Sequence, residues 1–225
     1  MPSPVRIGII GGGKISELHA NGYLSSDNAI ISAVADKNEK VSKLRASQWG
    51  AKKHYIDYKD LLANPEIDAV EILTPHNLHA QMVIDAIKAG KHVSVQKPMA
   101  ISLKECNEMI LASNASSRIS RVFENFMYYP PIAKAKNILD NGDVGDPISL
   151  RIKSARGSHK YGWNVPDSAN EWRFDDKQSG GGRTIFDFGY HVFALAIHMF
   201  GEIDQVFAWI REEAQENGQI MDSPA

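Results

Sequence analysis

One cysteine, Cys106, stands alone in 225 residues. A lone thiol excludes an internal disulfide framework and fits a reducing compartment, so a cytoplasmic location is expected. No apolar run approaches the ~20 residues that span a bilayer, and no membrane partner is expected. The opening "MPSPVRIGIIGGG" has one arginine and a short apolar run broken by glycines, which is not the form of a signal peptide. An excess of either charge is missing as well. The 25 Lys+Arg and 27 Asp+Glu leave a net charge of -2, the pI is near 6.4, and no basic run occurs. Nucleic acid is therefore not an expected partner. There is no internal repeat and no low-complexity segment. What is present, 43% hydrophobic and 23% charged residues, suits a soluble globular chain with one sizeable core or two modest ones.

The first 125 residues alternate between two periods. Short β-branched runs at 5–10, 29–35, 69–73, 92–95 and 118–123 read as buried parallel strands. Helical patterns lie between them at 14–25, 39–49, 76–89 and 103–115. Gly50 is a stop for the second, and Ser102 with Glu105 forms a capping box for the last. This alternation predicts βαβ units and a doubly wound α/β sheet covered on both faces. Near residue 140 the character changes. "LDNGDVGDP" is a turn cluster, and 148–156 and 203–213 alternate as half-buried strands. Residues 157–182 read as a long functional loop, followed by a helix at 184–200. The division expected is a dinucleotide-binding domain over 1–125 and an α+β domain over 126–225.

After the first strand, Gly11-Gly12-Gly13-Lys14-Ile15-Ser16 fits G-x-G-x-x-small. A phosphate approached by backbone N–H groups needs a turn without side chains, and the following helix adds its positive end. Asp36 ends the second strand 25 residues beyond Gly11, where a carboxylate can accept both ribose hydroxyls. The plainer reading is a tight turn with Asp36 capping the next helix. Taken with its flanking strand and helix, the motif predicts a dinucleotide site. Asp36 repels a 2′-phosphate and favours NAD; Lys37 beside it leaves NADP open.

"LTPHNLH" ends the next strand at the carboxyl edge of the sheet, where open α/β sheets bind ligands. Thr74 and Pro75 are placed along the cofactor, with Asn77 and His79 facing the same side. Helix capping by Thr74 or Asn77 is an equal reading. The pair His76 and His79 lacks an acid or cysteine at ligand spacing, so no metal is expected. Lys97, after the strand at 92–95, belongs to the same edge. In "SGGGRTIFDFGYHVFAL" the glycines permit close backbone approach, and Asp187 and His191 follow at i, i+4. A histidine set by a carboxylate can take a hydroxyl proton while a lysine steadies the alkoxide. A water-facing Asp187–His191 pair is the plainer alternative.

In their order along the chain these features resemble the glucose–fructose oxidoreductase / inositol 2-dehydrogenase / MocA family. They are the glycine turn 11–16, Asp36, "TPHNLHA" 74–80, "QKP" 96–98, "GDVGDP" 142–147, "SGGG" 179–182 and "DFGYH" 187–191. The resemblance implies an N-terminal Rossmann domain and a C-terminal α+β domain with an open, mostly antiparallel sheet. It implies NAD or NADP, and hydride transfer to or from a ring carbinol of a sugar, inositol or related polyol. Gly11, Gly13, Lys14, Ile15, Asp36, Thr74, Pro75, Asn77, His79, Gln96 and Lys97 would meet the cofactor. Lys97 would be the lysine at the reacting centre, His191 the acid/base and Asp187 the substrate-orienting carboxylate. Members of this kind associate through the C-terminal sheet, so a homo-oligomer is expected of a complete chain.

Two departures qualify the resemblance. The family motif is usually Glu-Lys-Pro, and Gln96 keeps hydrogen-bonding capacity without the charge. The chain also stops where the family's C-terminal sheet continues, with "QIMDSPA" resembling the lead-in to a further strand. A truncated chain is the expectation, and its alternative function is nucleotide binding without turnover, as a sensor or an inactive fragment.

Overall fold

In a computed structural model of the chain, residues 3–153, 165–181, 183–214 and 220–224 are described. The β-branched runs form strands β1 (Val5–Ile10), β2 (Ala29–Ala35), β3 (Lys53–Tyr55), β4 (Ala69–Ile72), β5 (His92–Gln96) and β6 (Ser120–Phe123). They make one parallel sheet in the order β3-β2-β1-β4-β5-β6. Helices α1 (Lys14–Leu24), α2 (Glu39–Trp49), α3 (Tyr58–Ala63), α4 (His79–Lys88) and α5 (Leu103–Asn114) connect them. The strand order reverses between β1 and β4, so the turn after β1 and the loop after β4 flank a topological switch point.

The helix limits follow from local chemistry. Asn38, not Asp36, caps α2 by accepting from the Lys40 N–H at 3.0 Å. Gly50 ends that helix with φ 70°, a left-handed turn that favours glycine. Ser102 Oγ accepts from the Glu105 N–H, while Glu105 reaches back to the N–H of Ile101. That is the expected capping box with its return bond moved by one residue.

Two buried clusters lie on the sheet's two faces. Ile7, Ile9, Ile31, Val34 and Trp49 belong to one, and Ile10, Ala33, Leu61, Val70, Ile72 and Val95 to the other. The parity of β2 changes midway because Ile31 pairs with Ile7 while Ala33 pairs with Gly8. Ser32 is absorbed as a bulge, which turns Ala33 and Ala35 to the face opposite Ile31. Each fully buried isoleucine, leucine or valine of these clusters is worth roughly 1.5–3 kcal/mol.

By contacts the chain divides into two units. The first comprises 1–123 and 167–180; the second comprises 124–166 and 181–225. Short helical turns at Asp167–Ala169 and Glu171–Phe174, with α7 (Asp176–Ser179), belong to the first unit. Of 157–182, read above as loop, residues 165–181 are described and hold these turns. The second unit holds α6 (Pro130–Asp140), a π-helical turn Arg183–Phe188 running into α8 (Gly189–Phe200), and strands β7 (Ile210–Ala214) and β8 (Ile220–Pro224). β7 and β8 pair antiparallel.

The strand expected at 148–156 is not formed over 148–153, and 154–156 lie outside the described residues. The strand expected at 203–213 begins only at Ile210, where β8 supplies a partner. Alternation makes a strand only where another strand receives its hydrogen bonds. "QIMDSPA", read as a lead-in, contributes β8 itself.

Candidate functional site

The turn after β1 is shaped by its neighbours. Gly11 has φ 100°, and a Cβ there would lie 2.6 Å from the Leu73 carbonyl oxygen. A Cβ on Gly12 would lie 2.6 Å from Val41 Cγ1, whereas one on Gly13 would meet no atom within 4 Å. The third glycine therefore borders open, exposed space at the N-terminus of α1. Gly13 offers α1 no side-chain cap, so the first N–H groups, at Lys14 and Ile15, are suited to an anion. Ser16 is fully buried, as close packing of helix on sheet asks of a small residue, and it donates to the Gly13 carbonyl at 2.5 Å.

Asp36 stands beside this turn. Its Oδ2 accepts from the Gly12 N–H and its Oδ1 from the Asn38 N–H, each at 2.8 Å. Sequence reasoning missed Arg45. Its Nε donates to the Gly12 carbonyl at 3.0 Å, and its Nη2 lies 2.6 Å from Glu17 Oε1. Glu17 also holds Lys14 Nζ at 2.5 Å. The two cations lower the Glu17 pKa, Lys14 foremost, against the opposing effect of burial. Spacing of 33 residues between Gly12 and Arg45 carries no local signal; only the packing of α2 on the turn brings them together.

At the end of β4, Thr74 and Pro75 are half-buried and lead into a short turn at His76–Leu78. Asn77 Oδ1 is a buried acceptor with no hydrogen-bond partner among the described residues. His79 is 0% exposed. Its Nδ1 lies 2.8 Å from the Pro98 carbonyl and its Nε2 3.0 Å from the Thr74 carbonyl. His79 thus ties the loop after β4 to the loop after β5 and offers no surface for a cofactor. The expected direct contact with a cofactor thus finds no exposed atom of His79. His76 is buried too, with Nδ1 2.9 Å from the Ser179 carbonyl and its ring against the edge of Trp172. The two rings lie 5.6 Å apart, and no group of three metal-ligating side chains gathers among the described residues.

Lys97 follows the last residue of β5 and is half-buried. Its N–H donates to Gln96 Oε1 at 2.8 Å, and Gln96 Nε2 lies 3.0 Å from His19 Nε2. In the first unit, therefore, the glycine turn, Asp36, the Thr74 loop and Lys97 all stand at the carboxyl ends of β1, β2, β4 and β5.

The second unit sets His191 beside a carboxylate, Glu124, that the sequence had not singled out. Both oxygens of Glu124 face His191 Nδ1, at 2.9 and 2.8 Å. Glu124 is 5% exposed and also accepts from the Phe126 N–H. The His191 ring stacks on Phe126 with centroids 4.2 Å apart and an angle of 9°. A proton held on Nδ1 by Glu124 leaves Nε2 as a lone-pair acceptor, the form of a general base. Asp187 is half-buried and sits in the wider π-helical turn, so the α-helical i, i+4 argument does not carry to His191. Glu124 was legible only as an acid following an apolar strand.

A family model described as "Oxidoreductase family, NAD-binding Rossmann fold" matches residues 5–124, and its companion C-terminal domain model matches 132–223. The chain belongs to the Gfo/Idh/MocA family. It is 29% identical to a levoglucosan dehydrogenase of Pseudarthrobacter phenanthrenivorans over 95% of this chain and 57% of that protein. It is 31% identical to a myo-inositol 2-dehydrogenase of Thermotoga maritima over 91% of this chain and 58% of that protein. A crystal structure of an NAD binding oxidoreductase from Klebsiella pneumoniae superposes with a TM-score of 0.76 at 29% identity. That match covers 93% of this chain and 55% of the other. The chain thus spans rather more than half the length of these relatives. Its first unit has the family's NAD-binding fold, as the sequence resemblance implied.

Proposed function

We propose that the chain is an oxidoreductase that binds a nicotinamide dinucleotide and transfers a hydride to or from a ring carbinol of a sugar, inositol or related polyol. The observation that carries this reading is the glycine turn at the switch point, with open space at Gly13 and an uncapped α1 behind it. The cofactor fits these groups. Pyrophosphate suits the N–H groups of Gly13, Lys14 and Ile15, a ribose suits Asp36, and the orphaned Asn77 Oδ1 awaits a donor. Thr74, Pro75, Gln96 and Lys97 complete the cofactor set. Asp36 favours NAD. Arg45, bonded to the same turn, and Lys37, next in sequence, are cations beside it, and Glu17 already engages the first.

When bound, the nicotinamide supplies the hydride acceptor or donor. His191, with its proton directed to Glu124, takes the hydroxyl proton on Nε2 during oxidation and returns it during reduction. Lys97 contributes an ammonium that stabilises the oxygen as charge develops. Asp187 orients the substrate hydroxyls. The relatives named above, a levoglucosan and a myo-inositol dehydrogenase, support the substrate class. The proposal extends to two domains divided near residue 125, a cytoplasmic location and a homo-oligomer. Exposed Phe207 and Trp209 on the second unit support the last.

A second reading, nucleotide binding without turnover, is favoured by the second unit's two-stranded sheet and sparse burial. A panel of polyols and sugars with NAD and NADP separates the two. The first reading expects NAD reduction with at least one ring polyol, and a loss of about 100-fold or more in turnover in Lys97→Ala with NADH affinity retained. Saturable NADH binding without turnover across the panel establishes the second. Full turnover in Lys97→Ala removes the lysine from the mechanism.

A further inference from the structure

A backbone N–H can only donate, and that fact orders the protons of a chain of hydrogen bonds behind it. The Lys97 N–H faces Gln96 Oε1 at 2.8 Å, so the Gln96 amide turns its oxygen to the main chain and its nitrogen to His19. That nitrogen is a donor, and it lies 3.0 Å from His19 Nε2. His19 Nε2 must therefore accept, and the ring proton belongs on Nδ1. Nδ1 lies 3.1 Å from Glu71 Oε1.

Glu71 is 1% exposed and receives two further donors, Tyr23 Oη at 2.5 Å and Ser94 Oγ at 3.2 Å. Three donors on two oxygens suit a carboxylate that accepts everywhere. Burial, then Glu71 itself, pushes the Tyr23 hydroxyl well above its ordinary pKa, so its proton stays in the bond. The His19 ring is fixed from the side by Phe123, with centroids 4.6 Å apart. At every link of this arrangement a donor meets an acceptor.

We propose that Glu71, His19 and Gln96 form a proton-ordered chain that holds the Lys97 backbone at the end of β5, which makes His19 and Gln96 positioning residues for that lysine. The consequence for function rests on the reading that Lys97 acts at the reacting centre; the chain of protons does not. A charge at residue 96 would break the order. A carboxylate facing His19 Nε2 would place the imidazole between two anions and draw a second proton onto it.

Long-range proton–nitrogen NMR of the 15N-labelled full chain tests the order without cofactor or substrate. His19 is expected with Nδ1 protonated and Nε2 bare in the wild type, and with both nitrogens protonated in Gln96→Glu at neutral pH. A wild-type His19 carrying its proton on Nε2, or on both nitrogens, overturns the proposal. Hydrogen exchange tests the positioning. Gln96→Leu removes the acceptor and should lower the protection factor of the Lys97 amide about tenfold, whereas Gln96→Glu restores an acceptor and should retain it. Unchanged Lys97 protection in Gln96→Leu overturns the positioning claim, and the wild-type spectrum still decides the proton order if that variant does not fold. Absence of dehydrogenase activity in the wild type would defeat the functional reading alone and would leave both readouts interpretable.

Discussion

In the first unit Ile9, Val34, Leu61 and Ile72 are fully buried; in the second, Ile148 is 97%, Phe207 80% and Trp209 73% exposed. Among the described residues, Glu124 is the second unit's one buried side chain. The two regions use similar residue types, so composition does not separate them. Connectivity does. Each βαβ crossover returns a helix onto the strands it joins, and the first unit thereby supplies its own cover on both faces. Among the described residues the second unit's extended segments have few strands to pair with, and only β7 and β8 find each other. A hydrophobic residue stabilises a fold only where the chain brings it a surface to bury against.

Paired truncations should expose this contrast most strongly. Leu61→Ala removes a side chain that packs between Gly8 and the sheet's core cluster. It should cost about 2–5 kcal/mol of unfolding free energy in urea titration. Phe207→Ala removes an exposed ring and should cost less than about 0.5 kcal/mol. Equal losses would mean that the second unit has a core of comparable weight. Exposed apolar surface also binds hydrophobic dyes, and Phe207→Ser with Trp209→Ser should lower that binding.

A smaller effect concerns the His79 tie within the first unit. Burial, the dominant cause, pushes its imidazole below the ordinary histidine pKa, against the raising effect of the Pro98 and Thr74 carbonyls. The unfolded chain therefore takes the proton first. Stability is full above the unfolded value of about 6.5 and falls as pH drops below it. Urea midpoints between pH 8 and pH 5 should decline in the wild type and decline less in His79→Asn; parallel curves would place the titration elsewhere.

The smallest effect belongs to the surface of the first unit. Arg6 pairs with Asp68 at 2.7 Å and holds its carboxyl at about 2, below the usual range. That contribution is present above the unfolded value near 3.9 and is lost as pH falls toward about 2. Both side chains are more than a third exposed, so it amounts to less than about 1 kcal/mol. Asp68→Asn should flatten the acid limb of the stability profile by that amount, and an unchanged limb would show that solvent screens the pair completely.

The same contrast decides what was legible in the sequence. β1, β2 and α2 coincide with their expected limits because a buried parallel strand and a capped helix are written locally. β3 and α3 escaped notice: "KHY" is three polar and aromatic residues, and "YKDLLA" is too short to show a helical period. α6 was missed although it begins with two prolines, which suit a first helical turn. In the second unit the alternation at 148–153 and 203–209 was real, but alternation predicts a face and not a partner. At the site, the glycine turn and Asp36 were readable because their residue types recur at a set spacing after two strand ends. The Glu124–His191 pair spans 67 positions and the His19–Gln96 contact spans 77, so only the folded chain reveals them.

The central claim is that the open edge of Gly13 receives the phosphates of a nicotinamide dinucleotide. NADH fluorescence titration of the wild type and Gly13→Val, with thermal unfolding of both, tests it directly. A Cβ at Gly13 meets no protein atom, so the valine should fold with little change in melting temperature while filling the space a pyrophosphate needs. Saturable binding is expected in the wild type, with a loss of about 100-fold or more in the folded variant. Equal NADH affinity in a folded Gly13→Val, or no binding in the wild type, would contradict it.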